Sequence, residues 1–129
     1  MPHIIVEYTD NLRKEADIPN LLKELNSVLI SRSDIFPTGG IRSRAFELKD
    51  YRIADGAEND AFVHTILKIG SGRSDLDKKG VCDELFEVIK GHFTDLFARR
   101  YLALSMELIE FIEAGTYKHN NIHKRFRNS

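Results

Sequence analysis

The sequence predicts an α/β (α+β) fold that contains a duplicated β-α-β unit. Two observations lead to this prediction. Four strand-like apolar stretches are separated by two helical patterns, in the order β-α-β then β-α-β. Each crossover also exceeds the dozen or so residues that parallel pairing needs. Two such units side by side give a four-stranded, mainly parallel sheet with two helices on one face. At 129 residues the chain is expected to form one domain, with pseudo-repeats at about 2–48 and 61–110.

The strands are predicted from runs of apolar, β-branched and aromatic residues. These runs cover residues 2–8, 41–48, 61–69 and 101–109. The segment 49–60 joins the two halves and is predicted to be a loop, with a turn at Asp55-Gly56.

The first helix is predicted from an apolar stripe at helical spacing, with Asp17 and Pro19 suited to its first turn. The stripe consists of Ile18, Leu21, Leu22, Leu25, Val28 and Leu29. The second helix is predicted to begin after Ser74, because Ser74 and Asp77 have the spacing of a capping box. It is expected to run on as one long helix with a buried face formed by Cys82, Phe86, Ile89, Phe93 and Leu96.

The second face of the sheet is left without helices in this arrangement. In the last strand, one set of alternating side chains is apolar throughout, and the opposite set mixes apolar residues with Ser105 and Glu107. The mixed set is too apolar for a free surface and too polar for a closed core. We therefore expect a homo-oligomer in which this face, carrying Glu7, Glu47 and Glu107, meets other subunits.

Composition excludes several classes of function. The net charge is −1, and the terminal KRFR cluster at 124–127 is too short for a nucleic-acid-binding arm, so a general nucleic-acid binder is not expected. The start of the sequence lacks the pattern of a signal peptide, and no run approaches the roughly 20 apolar residues of a membrane span. The single cysteine, Cys82, fits a reducing compartment. These features predict a cytoplasmic protein.

Pro2 is the first candidate for chemistry. Methionine is commonly removed before a small residue such as proline, which would leave a rigid secondary amine at the start of a strand. An α-amino group titrates near pH 8 in model peptides, and an apolar pocket or nearby arginines would lower its pKa. Such an amine could act as a general base near neutral pH. Many proteins begin Met-Pro without a catalytic use, so this signal is weak by itself.

Arginines are the second candidates. Arg42 and Arg44 alternate on the second strand, and Arg73 follows two glycines in the stretch 70–74. The glycines permit close approach of the backbone to a ligand, and Ser74 opens a helix whose free N–H groups favour an anion. An arginine fork suits a carboxylate. The alternative interpretation is that these are surface charges paired with acids.

The histidines predict no metal site. His119 and His123 are four residues apart, but the intervening residues lack the glutamate of a zinc protease motif and no third ligand is evident. His3 and His64 alternate with apolar residues and are expected to be packed or hydrogen-bonded. Cys82 lies on the predicted buried helix face and is expected to be a small core residue.

Several stretches in fixed order carry a resemblance that covers nearly the whole chain. They are MPHIIVEYTDN, IFPTGGIRSR, ADG, FVHTILKIGSGRS, LFEVIKGHF, RYLALSMELIE and KHNNIH. Together they resemble the 5-carboxymethyl-2-hydroxymuconate isomerase family of the tautomerase superfamily. The residues 72–75, GRSD, are also similar to a stretch of the shorter 4-oxalocrotonate tautomerases.

The resemblance implies a tautomerase-like fold and a homotrimer whose sheets face inward. It further implies that the chain ketonises a dienol diacid or triacid in homoprotocatechuate breakdown, without any cofactor. The family's amino-terminal proline falls on Pro2, the arginine of its GIRSR segment on Arg42 and the arginine of its GRS turn on Arg73. These positions agree with a base beside anion-binding arginines.

Two other hypotheses remain at this stage. One is a different enzyme of the superfamily, acting on another enol or on an unsaturated halo-acid. The other is a non-catalytic oligomeric binding protein with the same fold. In each case the expected ligand is small and anionic, and neither nucleic acid nor membrane is an expected partner.

Overall fold

Four strands form one mixed sheet in the computed structural model, which describes residues 1–126. The strands are β1 (His3–Thr9), β2 (Arg42–Leu48), β3 (Ala61–Gly70) and β4 (Leu102–Phe111), and their order across the sheet is β2-β1-β3-β4. The outer pairs, β1–β2 and β3–β4, are parallel, whereas the central pair β1–β3 is antiparallel. The mainly parallel sheet is therefore confirmed. Residues 127–129, including the last arginine of the KRFR cluster, lie outside the described residues.

Three helices pack on one side of this sheet. They are α1 (Ile18–Ile30), α2 (Asp75–His92) and α3 (Thr94–Arg99). The first apolar stripe is confirmed, because its central residues are buried and the rest pack against the core. Pro19 lies in the first turn of α1, where its missing N–H leaves no hydrogen bond unmade. Ser74 caps α2, since its Oγ accepts a hydrogen bond from the Asp77 N–H at 3.1 Å.

The second helical pattern differs from the prediction in two respects. The helix is interrupted at Phe93, where the backbone leaves the helical region, and the Thr94 hydroxyl donates to the carbonyl oxygens of Lys90 and Gly91. Glycine disfavours helix and a threonine hydroxyl competes for the backbone, so the two together account for the break. The buried face is also rotated: Val81 and Leu85 join Ile89, Phe93 and Leu96 in the core. Cys82 and Phe86 are only half-buried at its margin.

The core lies between the helices and the helix-facing side of the sheet. Alternate residues of the two central strands are fully buried, namely Ile4 and Val6 of β1 and Val63 and Leu67 of β3. The predicted alternation of β4 is confirmed, since Leu102 is buried and its near neighbours on the same side pack against the core. Within residues 1–126, no helix is both long and apolar enough to cross a membrane.

The opposite face of the sheet, which we call the open face, carries no helix. It presents apolar side chains such as Phe46 and Ile109, 51% and 38% exposed, beside a polar cluster at His64. The His64 ring lies 2.7 Å from the Ser105 hydroxyl and 3.0 Å from the Glu107 carboxylate.

One residue expected on the open face lies on the other side of the sheet. Glu47 pairs with Tyr8 in the β1–β2 register, which places it on the side of the buried Val6. There it accepts hydrogen bonds from the Arg13 guanidinium and the Tyr8 hydroxyl, and these lower the pKa of Glu47. The placement of Glu47 among the open-face acids was therefore wrong, because the strand alternation assigns it to the side that carries the helices.

Candidate active site

The strand directions bring four chain segments to one edge of the sheet. The N-terminus of β1 lies beside the start of its parallel neighbour β2, and His3 pairs with Arg42. Because β3 is antiparallel to β1, the end of β3 reaches the same edge, and His3 also pairs with Lys68. Strand β4 runs parallel to β3 and therefore ends there too. Pro2, Arg42, Arg73 and the segment after β4 consequently lie at one edge.

A cavity of about 670 Å³ opens at this edge, and we call it the N-terminal cavity. It is lined by Met1 and His3, by the basic side chains Arg42, Arg44, Lys68 and Lys118, by Phe111, and by every residue from 115 to 122. Among the described residues, no aspartate or glutamate belongs to this lining. A concave site with several cations and no carboxylate is suited to a small anion.

Pro2 lies buried at the entrance to β1, behind Met1. Its carbonyl oxygen accepts a hydrogen bond from the Arg42 N–H at 3.3 Å, so the backbone itself fixes Pro2 beside Arg42. Gly40 passes close to Met1: a Cβ at position 40 would lie 3.5 Å from the Met1 Cγ. Met1 lines the cavity and Pro2 does not. Removal of Met1 would thus make the Pro2 nitrogen the chain terminus at this cavity.

The electrostatic environment disfavours a protonated amine at this position. Burial lowers the pKa of the Met1 amine below its usual value near 8, and the positive charges of Lys118, Arg73 and Arg42 lower it further. Glu113 acts in the opposite direction. The Pro2 nitrogen is one residue away along the chain, so the same charges would act on it after removal of Met1.

Arg42 and Arg44 both line the cavity, in agreement with their alternation on β2. Arg44 donates to the His3 Nδ1 at 3.1 Å, which ties it to the first residue of β1. Burial, Arg44 and Arg42 lower the pKa of His3. His3 therefore tends to stay neutral among these cations.

Arg73, which the glycine-rich stretch 70–74 suggested as an anion ligand, contacts backbone carbonyl oxygens and an aromatic ring. Its guanidinium donates to the carbonyl oxygens of Gly70 at 3.0 Å and Ile35 at 3.2 Å, and it stacks over the Phe36 ring at 4.7 Å. In the described chain it does not belong to the cavity lining, although its charge still lowers the pKa of the amine. Two of its five N–H donors are used by these carbonyls, and the others remain for an anion.

Lys68 and Lys118 are basic residues of the cavity that sequence reasoning missed, and Lys118 acts more strongly on the N-terminal amine. It belongs to the tail segment, residues 115–122, which follows β4 and forms one wall of the cavity. The Asn120 side chain donates to the Gly39 carbonyl oxygen at 2.9 Å and anchors this segment. A side chain at Gly39 would approach the His123 Cα to 2.7 Å, so the close contact requires glycine. The available signal was the polar KHNNIH stretch after a strand that ends at the same edge.

The two spaced histidines of the tail face different surroundings. His119 lines the N-terminal cavity, whereas His123 packs against Gly39. Within residues 1–126, no three His, Cys, Asp or Glu side chains are grouped closely enough to hold a metal ion.

Comparison with known proteins places the chain among its relatives. A family model described as 5-carboxymethyl-2-hydroxymuconate isomerase matches residues 2–126. An Escherichia coli protein named 5-carboxymethyl-2-hydroxymuconate Delta-isomerase is 45% identical over 127 residues, which cover 98% of this chain and 100% of that protein. The crystal structure of a 5-carboxymethyl-2-hydroxymuconate isomerase from Deinococcus radiodurans R1 is 57% identical with a TM-score of 0.94, covering 98% of this chain and 94% of that one.

A more distant structure, a fused 4-OT described as a symmetric trimer, shares the fold. Its TM-score is 0.60 at 17% identity, and the match covers 91% of this chain and 93% of that one. The resemblance seen in the sequence is thus confirmed: the chain belongs to the 5-carboxymethyl-2-hydroxymuconate isomerase family.

Proposed function

We propose that this chain is a cofactor-independent isomerase that ketonises a dienol multi-carboxylate such as 5-carboxymethyl-2-hydroxymuconate, the compound in the name of its E. coli relative. The observation that carries the proposal is the N-terminal cavity, which places the chain's amine among basic side chains with no acid in the described lining. A base beside several cations suits an acidic enol that also bears carboxylates.

The proposed base is the secondary amine of Pro2 after removal of Met1. It takes the proton of the enol hydroxyl and returns a proton to a carbon of the conjugated chain. The hydroxyl thereby becomes a carbonyl and the double bonds shift, with no net gain or loss of atoms or electrons. Arg42 and Arg73 hold carboxylates and stabilise negative charge that develops on the oxygen. Positioning of the enol against the amine supplies a further part of the rate.

The open face is the basis of a proposal on assembly. We propose that three copies associate through the open face, which carries exposed apolar side chains as well as the His64 cluster. We also propose that the protein acts in the cytoplasm, in accord with its single, unpaired Cys82.

The role of the arginines predicts a loss of catalytic efficiency on substitution. Arg42→Ala and Arg73→Ala should each lower kcat/KM on a multi-carboxylate enol by about 1.5–3 kcal/mol of transition-state stabilisation, as expected for a lost charged hydrogen bond. Arg52→Ala, in the exposed 49–60 loop, is the matched control. Because Arg73 also contacts Phe36, thermal melting of each variant should accompany the kinetics. Wild-type kinetics in both site variants would exclude these roles.

The identity of the base predicts that activity requires loss of Met1. An amide nitrogen is essentially non-basic, so protein that retains Met1 should be nearly inactive, whereas clipped protein should ketonise the enol. Pro2→Ala in clipped protein should keep part of the activity, because a primary amine is still a base. The measurement is a spectrophotometric enol assay on pools whose intact mass separates clipped from unclipped chains. Equal rates in the two pools would rule out the amine.

The charges near the amine predict opposite shifts in the pH profile. In clipped protein, kcat/KM should rise with pH through one ionisation that lies below the ordinary α-amino value near 8. Lys118→Ala removes a cation that disfavours the ammonium form, so it should move this ionisation to higher pH. Glu113→Gln removes an anion that favours the ammonium form, so it should move the ionisation to lower pH. Shifts of the same sign in the two variants would contradict this assignment.

The assembly proposal predicts a trimer at micromolar concentration. Ile66 pairs with Ile5 and Glu107 near the middle of the open face. Ile66→Asp would add a like charge beside Glu107 and a buried charge in the interface, and should yield smaller species in sedimentation velocity. The control is Leu76→Asp on the helix side, where Leu76 is 83% exposed. A wild-type protein that sediments as a stable monomer would refute the proposal.

A further inference from the structure

We infer that Lys118 binds the carboxylate that distinguishes a tricarboxylate substrate from a dicarboxylate one. The inference rests on the proposed function and assigns a specificity-determining role to a residue of the tail segment. It follows from the position of Lys118 in the N-terminal cavity, the loose ion pair that holds it and the number of anionic groups such a substrate carries.

Lys118 lies among the groups that line the N-terminal cavity. Its side chain lines the same cavity as Met1 and Arg42 but comes from the tail segment after β4, an element separate from those that carry the two arginines. Its charge also acts on the N-terminal amine more strongly than those of Arg73 and Arg42. Because Coulomb interactions fall with distance, a substrate seated against the amine would lie within the field of all three cations.

The ion pair between Lys118 and Glu113 is loose. The Nζ lies 3.4 Å from the Glu113 Oε2, longer than a good hydrogen bond, and the side chains are 35% and 66% exposed. Such an exposed pair contributes little free energy. Glu113 therefore orients the ammonium at small cost, and the ammonium retains donors for a second carboxylate.

The tail segment is anchored to the turn that precedes β2. Asn120 ties the segment to the Gly39 carbonyl oxygen, and Gly39 belongs to the turn directly before Arg42. The Asn120 side-chain oxygen also accepts a hydrogen bond from the Ile122 N–H at 2.7 Å. The wall that carries Lys118 is thus fixed relative to Arg42.

Arg42 and Arg73 are the proposed partners of two carboxylates, and Arg44 already donates to His3. Of the two lysines in the lining, Lys118 acts more strongly on the amine than Lys68. Lys118 therefore supplies the further cation that 5-carboxymethyl-2-hydroxymuconate needs and 2-hydroxymuconate does not.

The kinetic test compares these two dienols in clipped protein. The assays are run on the high-pH plateau, where the amine is unprotonated in every variant. Lys118→Ala should raise KM for the tricarboxylate about tenfold or more, as expected for a lost charged hydrogen bond, and change KM for the dicarboxylate less than about twofold. Lys118→Arg should retain most of the preference because it keeps the charge. Lys124→Ala is the matched control, because Lys124 is an exposed lysine just beyond the tail segment and outside the cavity lining. Equal losses on both dienols, or no loss, would overturn the inference.

A binding measurement keeps the inference testable if the proposed function fails. Calorimetry with propane-1,2,3-tricarboxylate and glutarate compares acids that differ by one carboxylate and needs no turnover. The wild-type protein should prefer the tricarboxylate, and Lys118→Ala should abolish that preference. Turnover of neither dienol would reject the proposed function alone. A wild-type affinity no greater for the tricarboxylate, or a preference that survives Lys118→Ala, would overturn the role of Lys118.

Discussion

The antiparallel pairing of β1 with β3 is the constraint on which the site depends. Residues 3–8 of β1 lie in register with residues 63–68 of β3, and each strand also has a parallel partner on its other side. The start of the first β-α-β unit and the end of the second therefore share one edge of the sheet. A parallel central pair would have placed Pro2 and Arg73 at opposite edges.

The shared edge concentrates positive charge around one amine. Burial lowers the pKa of the terminal amine most, and the nearby cations lower it further. Under the proposed function the same cations would bind a carboxylate substrate, so binding of the substrate and activation of the base would share an electrostatic cause. Glu113 opposes this effect on the amine and pairs with Lys118. The lowered pKa of the amine thus reflects its burial first, and then a balance of charges from separate segments of the chain.

The two faces of the sheet differ in what covers them, since helices pack on one face and not on the open face. The helix side buries aliphatic residues such as Ile4 and Leu67 completely. Because successive side chains of a strand point to opposite faces of the sheet, their burial also fixes the face on which every other residue of each strand lies. This is why Glu47, an acid, lies on the helix side and is accommodated at the margin by Arg13 and Tyr8. The open face has no helix to cover Phe46 and Ile109, and it satisfies His64 with Ser105 and Glu107.

Local patterns in the sequence predict the local elements, because apolar periodicity and capping act over a few residues. The four strands, the α1 stripe, the Ser74 cap and the turn at Asp55-Gly56 follow from such patterns, and the turn appears as a positive φ at Gly56. Pro2, Arg42 and Arg73 were also chosen from the sequence, and the structure places them at one edge; their catalytic roles stay predictions.

The pairing of strands across the centre of the sheet and the meeting of charges at the site depend on long-range contacts. Pairing direction depends on contacts between residues about 60 positions apart, and no local pattern records them. The same long-range contacts set Arg73 against Ile35 and Phe36, and they bring Lys118 to the amine through the Asn120–Gly39 contact. A lysine in a polar tail has no periodicity to distinguish it from a solvated one, so its place in the site depends on the fold.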